Sequence, residues 1–459
     1  MEDLHVRRQF RTTWLRFAGC SFFILSTAFA AEDEAEKTGA GPVEMPLSVR
    51  IDPDQLTRLK CRIVINGTLT TPSPGGFRHW ELNSGADFEF VQRQLSSELT
   101  GPPALRAVRQ YQQAAMMVRV GKDHQTQTAL PFHKSVIYIR GNDGGFDVAA
   151  ATQPLSRAQF DLLRMPGDPL SCRALLPSRN VSVGEKWNTD PWVLPWITGL
   201  EAVTDQTLSC ELQSLVGDTA LIHITGKADG ASLGSASSVE FDGTLTFDVV
   251  SRMLTEFKCQ MKEKRTPGPV RPGADASVEI VWSQTVAEDV PIPLDLPESL
   301  FERPLVLKTP WNLSLNHSSE WHVFNQTDSV IMLRQIRNGA LVSQCNISAA
   351  VVMPPGQHTP DPDFRSDVEK AIRSRAGRIV AENTVRSVNE WRIRHVQAAG
   401  NVNDVELVWD YYLCTSASGH QFSLLFSHSA KDIKSFGDEA ERLLSSLSLV
   451  RQRPALPFR

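Results

Sequence analysis

The stretch that decides the fold is TDQTLSCELQSLVGDTALIHITGKADGASLGSASSVEFDGTLTFDVVSRMLTEFKCQMKEK, residues 204–264. Polar and apolar residues alternate along it in four long runs that short turns separate. Alternation with a period of two is typical of strands that bury one face. Consecutive strands joined by short turns form a meander, so this stretch predicts a wide antiparallel sheet. The predicted strands are 204–216, 218–228, 236–249 and 252–264.

The same alternation extends the sheet in both directions along the chain. Upstream, period-two segments begin near Leu56 and continue through KSVIYIRGNDGGFDVAA, residues 134–150, and downstream a further strand is predicted at 276–286. A wide sheet must curl or be covered, because a flat sheet exposes unpaired edges. Residues 46–290 therefore predict a large curved antiparallel sheet, half-barrel-like, with short helices on its inner face.

Two short helices are predicted within this domain. Ser156 and Gln159 form a capping box before RAQFDLLRM. Asp168 and Pro169 supply a cap and a first-turn proline before LSCRALLP. Both helices are too short to be stable alone, so they must pack against the sheet.

A third helical segment, WNTDPWVLPWITGL at residues 187–200, is rich in tryptophan. Asp190 is predicted to cap it and Gly199 to end it. In one interpretation its indoles plug the open mouth of the curved sheet and are part of the core, since large aromatics dominate cores. In the other, the segment is a movable lid over an apolar cavity, and its indoles contact a lipid-like or aromatic ligand. The candidate ligand-binding residues are Trp187, Trp192 and Trp196.

Five prolines predict a Pro-rich linker at residues 291–314. Beyond it, runs of strand with a helix between them and a helix at the end predict an α+β sandwich over residues 315–450. A hairpin is predicted at VELVWDYYLCTSASGHQFSLLFSHSA, residues 405–430. The odd-numbered apolar residues of its first strand, from Val405 to Leu413, are expected to share one face of the sheet with Phe422, Leu424 and Phe426 of the second strand. The predicted final helix covers residues 431–446, with Ile433 on its apolar side.

The order of these elements resembles that of PsbP-like domains. A strand hairpin and a helix precede a meander that ends in VWDYYLCTSASGHQFSLLFS, and FGDEAERLLSSLSL forms the last helix. The resemblance implies an α/β/α sandwich with a binding or assembly role, and it brings no catalytic residue. In the first domain, LSRAQFDLLRMPGDPLSCRALLPSRNVSVGEKWNTD resembles a group of exported bacterial proteins of the planctomycete type.

The first thirty residues have the parts of an export signal. A basic start precedes an apolar run from Phe17 to Phe29, and small residues at Ala28 and Ala30 predict cleavage after Ala30. Arg7 and Arg8 leave twin-arginine export open as an alternative to the ordinary route. Residues 31–45 are predicted to be a disordered acidic linker and 451–459 a tail. We expect a periplasmic or extracellular protein with no transmembrane segment in the mature chain.

Net charge and cysteine content limit which kinds of partner and cross-link are expected. The formal net charge is −5, and without residues 1–30, which carry four basic and two acidic side chains, it becomes −7. A mildly acidic chain is not expected to bind nucleic acid, which calls for a basic surface. Six cysteines follow the signal, and disulfides and buried free thiols are both open interpretations. These cysteines are Cys61, Cys172, Cys210, Cys259, Cys345 and Cys414.

The sequence has no metalloprotease, Walker or nucleophile-elbow motif, and we expect no catalytic residue, metal or cofactor. It therefore predicts an exported non-enzymatic protein that binds an apolar small molecule or lipid, or an envelope protein. One alternative is a hydrolase whose site is assembled from scattered residues, for which His124, His133 and Asp143 are examples. Another is a structural component of the cell envelope.

Overall fold

The computed structural model describes residues 44–450, without residues 98, 143, 289, 338 and 404 and without the side chains of residues 384–387. The predicted signal peptide, the predicted tail and nearly all of the acidic linker lie outside the described residues. The described chain is rich in strands, and it forms two large antiparallel sheets that are not closed. The prediction of a β-rich fold built on large open sheets is confirmed.

The first sheet contains twelve described strands, and every neighbouring pair in it is antiparallel. The first of these strands pairs with both the second and the last, so the middle of the sheet joins the beginning and the end of the domain. In chain order the strands are Leu56–Ser73, Gly76–Gln94, Arg106–Val120, His124–Ala129, Val136–Asn142, Gly145–Ala150, Lys186–Trp187, Ala202–Val216, Thr219–Ser232, Ser235–Asp248, Met253–Arg265 and Gly273–Val286. The meander predicted from residues 204–264 is confirmed.

Three short helices pack against the buried face of this sheet: α1 (Arg157–Leu163), α2 (Pro169–Cys172) and α3 (Val193–Thr198). The predicted capping box begins α1, and the Asp168 carboxylate accepts a hydrogen bond from the Leu170 backbone at the start of α2. The predicted cap of α3 is wrong. That helix begins at Val193, and the Asp190 carboxylate accepts a hydrogen bond from the Trp192 indole instead.

The second sheet has seven described strands and is covered on both faces. Helix α4 (Asp361–Arg373) packs on one face, while α5 (Ile433–Phe436) and α6 (Glu439–Ser445) pack on the other. The strands are Trp321–Gln326, Val330–Arg337, Ala340–Ala349, Arg378–Val388, Trp391–Val402, Val405–Thr415 and Gln421–Ser429.

The predicted faces of the hairpin at residues 405–430 are wrong. Trp409 and Tyr411 belong to the core under α4. Phe422, Leu424 and Phe426 belong to the core on the opposite face, where Tyr412 joins them. Because helices cover both faces, both sets of alternating residues are apolar, and the pattern alone does not show which sets meet.

Two further predictions need correction. The final helix is broken at Gly437, whose φ of 55° ends α5, and Ile433 is 51% exposed rather than buried. The Pro-rich segment 291–314 is more than a linker, because Leu300 is buried in a cluster with first-sheet residues and Leu305–Lys308 is a strand. Smaller pairings join the strands Met45–Pro46 with Asn180–Val181, and Leu305–Lys308 and Ser448–Leu449 with Leu313–His317.

Candidate functional site

The three tryptophans predicted as ligand contacts occupy different environments. Trp187 is 8% exposed, and its indole nitrogen donates a hydrogen bond of 2.8 Å to the Leu175 carbonyl oxygen. Trp196 is 7% exposed and meets Phe146 edge-on, with ring centroids 4.4 Å apart. Trp192 is half-buried, and its ring centroid lies 5.6 Å from that of Trp196. Two of the three indoles therefore lie in the core of the first sheet.

The space beside these rings is small. Trp192 and Trp196 line a cavity of about 80 Å³. A second cavity of about 30 Å³ shares Met165 and Pro166 with it. Binding sites for drug-sized ligands measure roughly 300–1,000 Å³. A lipid-sized molecule would have to displace core side chains, so the lid interpretation requires a rearrangement that the core interpretation does not.

A buried ion pair joins the start of helix α2 to the strand Arg106–Val120 of the first sheet. The Asp168 carboxylate accepts two hydrogen bonds from the Arg109 guanidinium, over 2.6 and 2.7 Å, and both side chains are at most 1% exposed. The Gln92 side-chain oxygen accepts a third bond from Arg109, over 2.8 Å, and the Phe90 ring lies 4.4 Å from the guanidinium carbon. The sequence identified Asp168 only as a helix cap, because its partner is 59 residues away.

A much larger cleft, of about 1050 Å³, crosses five neighbouring strands of the first sheet. These strands run in sheet order from Ala202–Val216 to Gly273–Val286. Neighbouring strands lie about 4.8 Å apart, so the cleft extends for roughly 19 Å across the sheet. The segment Asn188–Asp190 lines its end at the edge of the sheet.

Two rows of polar residues line the cleft. Residues directly opposite on antiparallel strands share a face, and so do residues two apart on one strand, so both rows project from the same face. The first row is Thr207, Lys227, Glu240, Lys262 and Ser277. The second row is Ser209, Thr225, Asp242 and Gln260. All of these residues line the cleft.

The row of residues between them points to the opposite face. Its members Phe241, Met261 and Val278 are 4%, 1% and 2% exposed, so their side chains belong to the core. A molecule in the cleft therefore meets hydroxyl, amide and charged groups, with Leu194 and Leu208 also in the lining. Lys227 and Lys262 stand on either side of Glu240, on neighbouring strands, so positive and negative charges alternate along the first row.

A histidine–aspartate cluster lies in the second sheet, on the face covered by α5 and α6. The Asp410 carboxylate lies 2.9 Å from His395 Nε2 and 3.4 Å from His428 Nε2, and it accepts a bond of 2.9 Å from Gln397. His428 Nδ1 lies 3.1 Å from the Ser429 carbonyl oxygen. Both neighbours of His428 are acceptors, so the protonated ring, in which both nitrogens donate, fits this site. Burial disfavours that cation, but the bonds to Asp410 and Ser429 and the charges of Asp410 and Asp432 together outweigh burial and raise the pKa of His428.

We expect the free energy of unfolding to fall as the pH rises through the folded-state pKa of His428. The unfolded state has the ordinary pKa near 6.5, so the folded state binds this proton more tightly, and the stabilisation is present below about pH 6.5 and lost above the raised value. Urea unfolding between pH 6 and 9 measures the effect, and His428→Gln should flatten the profile. His223→Gln, which removes a bond to exposed Asp242, is the control and should keep the wild-type slope. Parallel profiles for the wild type and His428→Gln would contradict the assignment.

The residues that illustrated a scattered hydrolase site are placed as follows. His124 begins the strand His124–Ala129, and His133 is exposed in the turn Phe132–Lys134, while Asp143 lies outside the described residues. The six cysteines Cys61, Cys172, Cys210, Cys259, Cys345 and Cys414 are buried free thiols. Burial raises the pKa of Cys210 to about 12, which makes its thiol a poor nucleophile.

Two features are absent from the described residues. Residues 44–450, with the gaps given above, contain no group of three or more His, Cys, Asp or Glu side chains placed to hold a metal ion. Within the same residues, no helix has the length and apolar character needed to cross a membrane.

Comparison with known proteins gives no family. No family model and no curated protein matches the chain. A solved structure from Bacteroides thetaiotaomicron VPI-5482 aligns with 33% of this chain and 49% of its own, at 13% identity and a TM-score of 0.24. Lipovitellin, described in terms of lipid–protein interactions, aligns with 54% of this chain and 26% of its own, at 9% identity and a TM-score of 0.30. The chain thus spans about half of the first and about a quarter of the second.

Proposed function

We propose that this chain is an exported binding protein that holds a polypeptide partner of the cell envelope in the polar cleft of its first sheet. The observation that carries the proposal is the cleft of about 1050 Å³ with its two polar rows. A span of roughly 19 Å accommodates about six residues of extended polypeptide at 3.3 Å per residue. The hydroxyl and amide groups of the rows suit the polar backbone of such a segment.

The charges of the cleft supply specificity. Lys227, Glu240 and Lys262 alternate in sign on neighbouring strands, and all three are exposed. A partner with the complementary order of charges is attracted, and one with the reverse order is repelled. Rim charges of this kind act mainly on the choice of partner and on the association rate.

An apolar small molecule or lipid is less well supported as the ligand. Phe241, Met261 and Val278 beneath the cleft are buried, and the cavity beside Trp192 measures only about 80 Å³. The neighbouring cavity, which shares Met165 and Pro166 with it, measures about 30 Å³. A lipid of stoichiometric amount in native mass spectra of the protein from its own host would favour that alternative. A partner polypeptide in the same spectra favours the proposal.

We retain a PsbP-like identity for residues 315–450, and membership of a planctomycete-type exported family, as parts of the proposal. Helices on both faces of the second sheet support an α/β/α arrangement. An assembly role for that domain agrees with a partner-binding role for the first sheet. The predicted export signal at residues 1–30 supports the proposal, because an exported protein would meet such a partner in the envelope.

Reversing the cleft charges should weaken partner binding at least tenfold. A photo-crosslinking amino acid at Thr225 identifies the partner by mass spectrometry in the host envelope, and the affinity of that partner is then measured for Lys227→Glu/Lys262→Glu. The two reversals create like charges beside Glu240, and a tenfold loss corresponds to about 1.4 kcal/mol. Lys258→Glu, an exposed change outside the cleft, is the matched control and should bind normally. Equal crosslinking from Thr225 and from Thr246, outside the cleft, would overturn the assignment.

A further inference from the structure

One edge of the first sheet is open beside the cleft. The strand Ala202–Val216 pairs on its inner side with Thr219–Ser232 along almost its whole length. On its outer side it pairs with Lys186–Trp187 at only two positions, Cys210 and Glu211. Residues 202–209 therefore have no paired strand on that side within the described chain. Alternate residues of an unpaired edge present backbone N–H and C=O groups to a further strand.

The chain leaves this edge at Asn188. Its preceding residue, Trp187, is still paired with Cys210, but Asn188, Thr189 and Asp190 continue without a ladder and line the cleft together with residues 206–209. Helix α3 follows directly, and its Leu194 lines the cleft as well.

Two polar atoms at this opening lack partners. Thr189 Oγ1 and Gln206 Oε1 are buried and have no hydrogen-bond partner among the described residues. Both residues line the cleft. A buried oxygen without a donor is costly, by about 1–3 kcal/mol, so a donor supplied by a bound segment would be stabilising here.

The edge is acidic. Asp190, Glu201 and Asp205 are exposed, and the sequence has no lysine or arginine between Lys186 and Lys227. On the side of the strand that faces the core, Val203 and Leu208 are half-buried and pack against the main hydrophobic cluster. An added strand with alternating side chains would cover these two apolar residues with one face and carry basic residues on the other.

We propose that the outer edge of residues 202–209 binds an extended basic segment by β-strand addition. The inference rests on the proposed function and gives the chemistry of a second segment of the same partner, apart from the one held across the cleft: alternating apolar and Lys or Arg residues with no proline. Eight residues of strand span roughly 27 Å, and about four of them face the open side with one N–H and one C=O each, enough for about eight backbone hydrogen bonds. The backbone bonds supply affinity, and the alternating side chains supply specificity.

A synthetic peptide tests the mode of binding. The probe is a nine-residue acetylated and amidated peptide of alternating lysine and valine, titrated calorimetrically into the mature full-length protein. We expect saturable binding that weakens at least tenfold for the glutamate–valine peptide. N-methylation of alternate residues should abolish binding for one set of positions and spare it for the other, because only one edge of an added strand donates to the sheet. Equal binding of both N-methylated peptides would overturn strand addition.

Matched variants test the edge. Asp190→Asn/Asp205→Asn should weaken the lysine–valine peptide at least fivefold and leave the melting temperature near that of the wild type. Asp218→Asn, a change to an exposed acid in the turn beyond the far end of the same strand, is the control and should bind normally. If the edge variants keep full peptide affinity, the inference fails. If they also keep the crosslinked partner while Lys227→Glu/Lys262→Glu loses it, the proposed function stands without this edge.

Discussion

Replacing Asp168 with alanine is expected to lower the free energy of unfolding by about 3–5 kcal/mol, because it leaves the Arg109 guanidinium buried without its counter-charge. The Arg109 side chain is 0% exposed in the folded chain. The same change also removes the helix cap on Leu170, which is worth about 1 kcal/mol. Urea or guanidinium unfolding of the protein measures the combined loss in the free energy of unfolding.

Two control variants separate these contributions. Asp168→Asn keeps an acceptor for the Leu170 N–H but removes the charge, so it should lose most of the stability. Lys258→Ala removes one partner of an exposed pair, 56% and 39% accessible, and should cost less than about 1 kcal/mol. If Asp168→Ala and Lys258→Ala unfold at the same denaturant midpoint, the buried ion pair does not hold helix α2 to the sheet.

Local patterns predicted the elements that depend on neighbouring residues. The capping box of Ser156 and Gln159 forms because both partners lie within one helical turn. The meander of residues 204–264 forms because each strand pairs with the next one along the chain. In both cases the interacting groups are close in sequence, where a period or a spacing is visible.

The candidate sites depend on residues that are distant in sequence and on a strand register that the sequence pattern does not fix. Asp410 meets His395 and His428 from two neighbouring strands, 15 and 18 residues away. No spacing rule selects these histidines from the others. The cleft depends on the register of five strands, which the alternation of polar residues does not fix in advance. The prediction that Trp409 shares a face with Phe422 is wrong because apolar residues occupy both faces of the second sheet, so alternation does not show which sets meet.

Trp196→Ala is expected to destabilise the first domain by about 3–5 kcal/mol, the usual loss for a buried tryptophan. Its ring meets Phe146 at 4.4 Å, and a Cβ atom at Gly141 would approach it to 2.8 Å, so the ring is tightly enclosed. Trp192→Ala should cost less, about 1–2 kcal/mol, because Trp192 is half-buried. Thermal melts and urea unfolding of both variants measure the difference.

Trp196→Phe separates packing from ligand contact. It keeps an aromatic ring of smaller volume in the same place, so about half of the lost stability should return if Trp196 is a core residue. A lid would behave differently: Trp196→Ala would unfold at nearly the wild-type urea concentration, and native mass spectra would show an apolar ligand lost from the variant but present in the wild type. The cavity of about 80 Å³ beside the ring favours the first outcome, because it leaves no room for that ligand without unpacking Trp196 from Phe146.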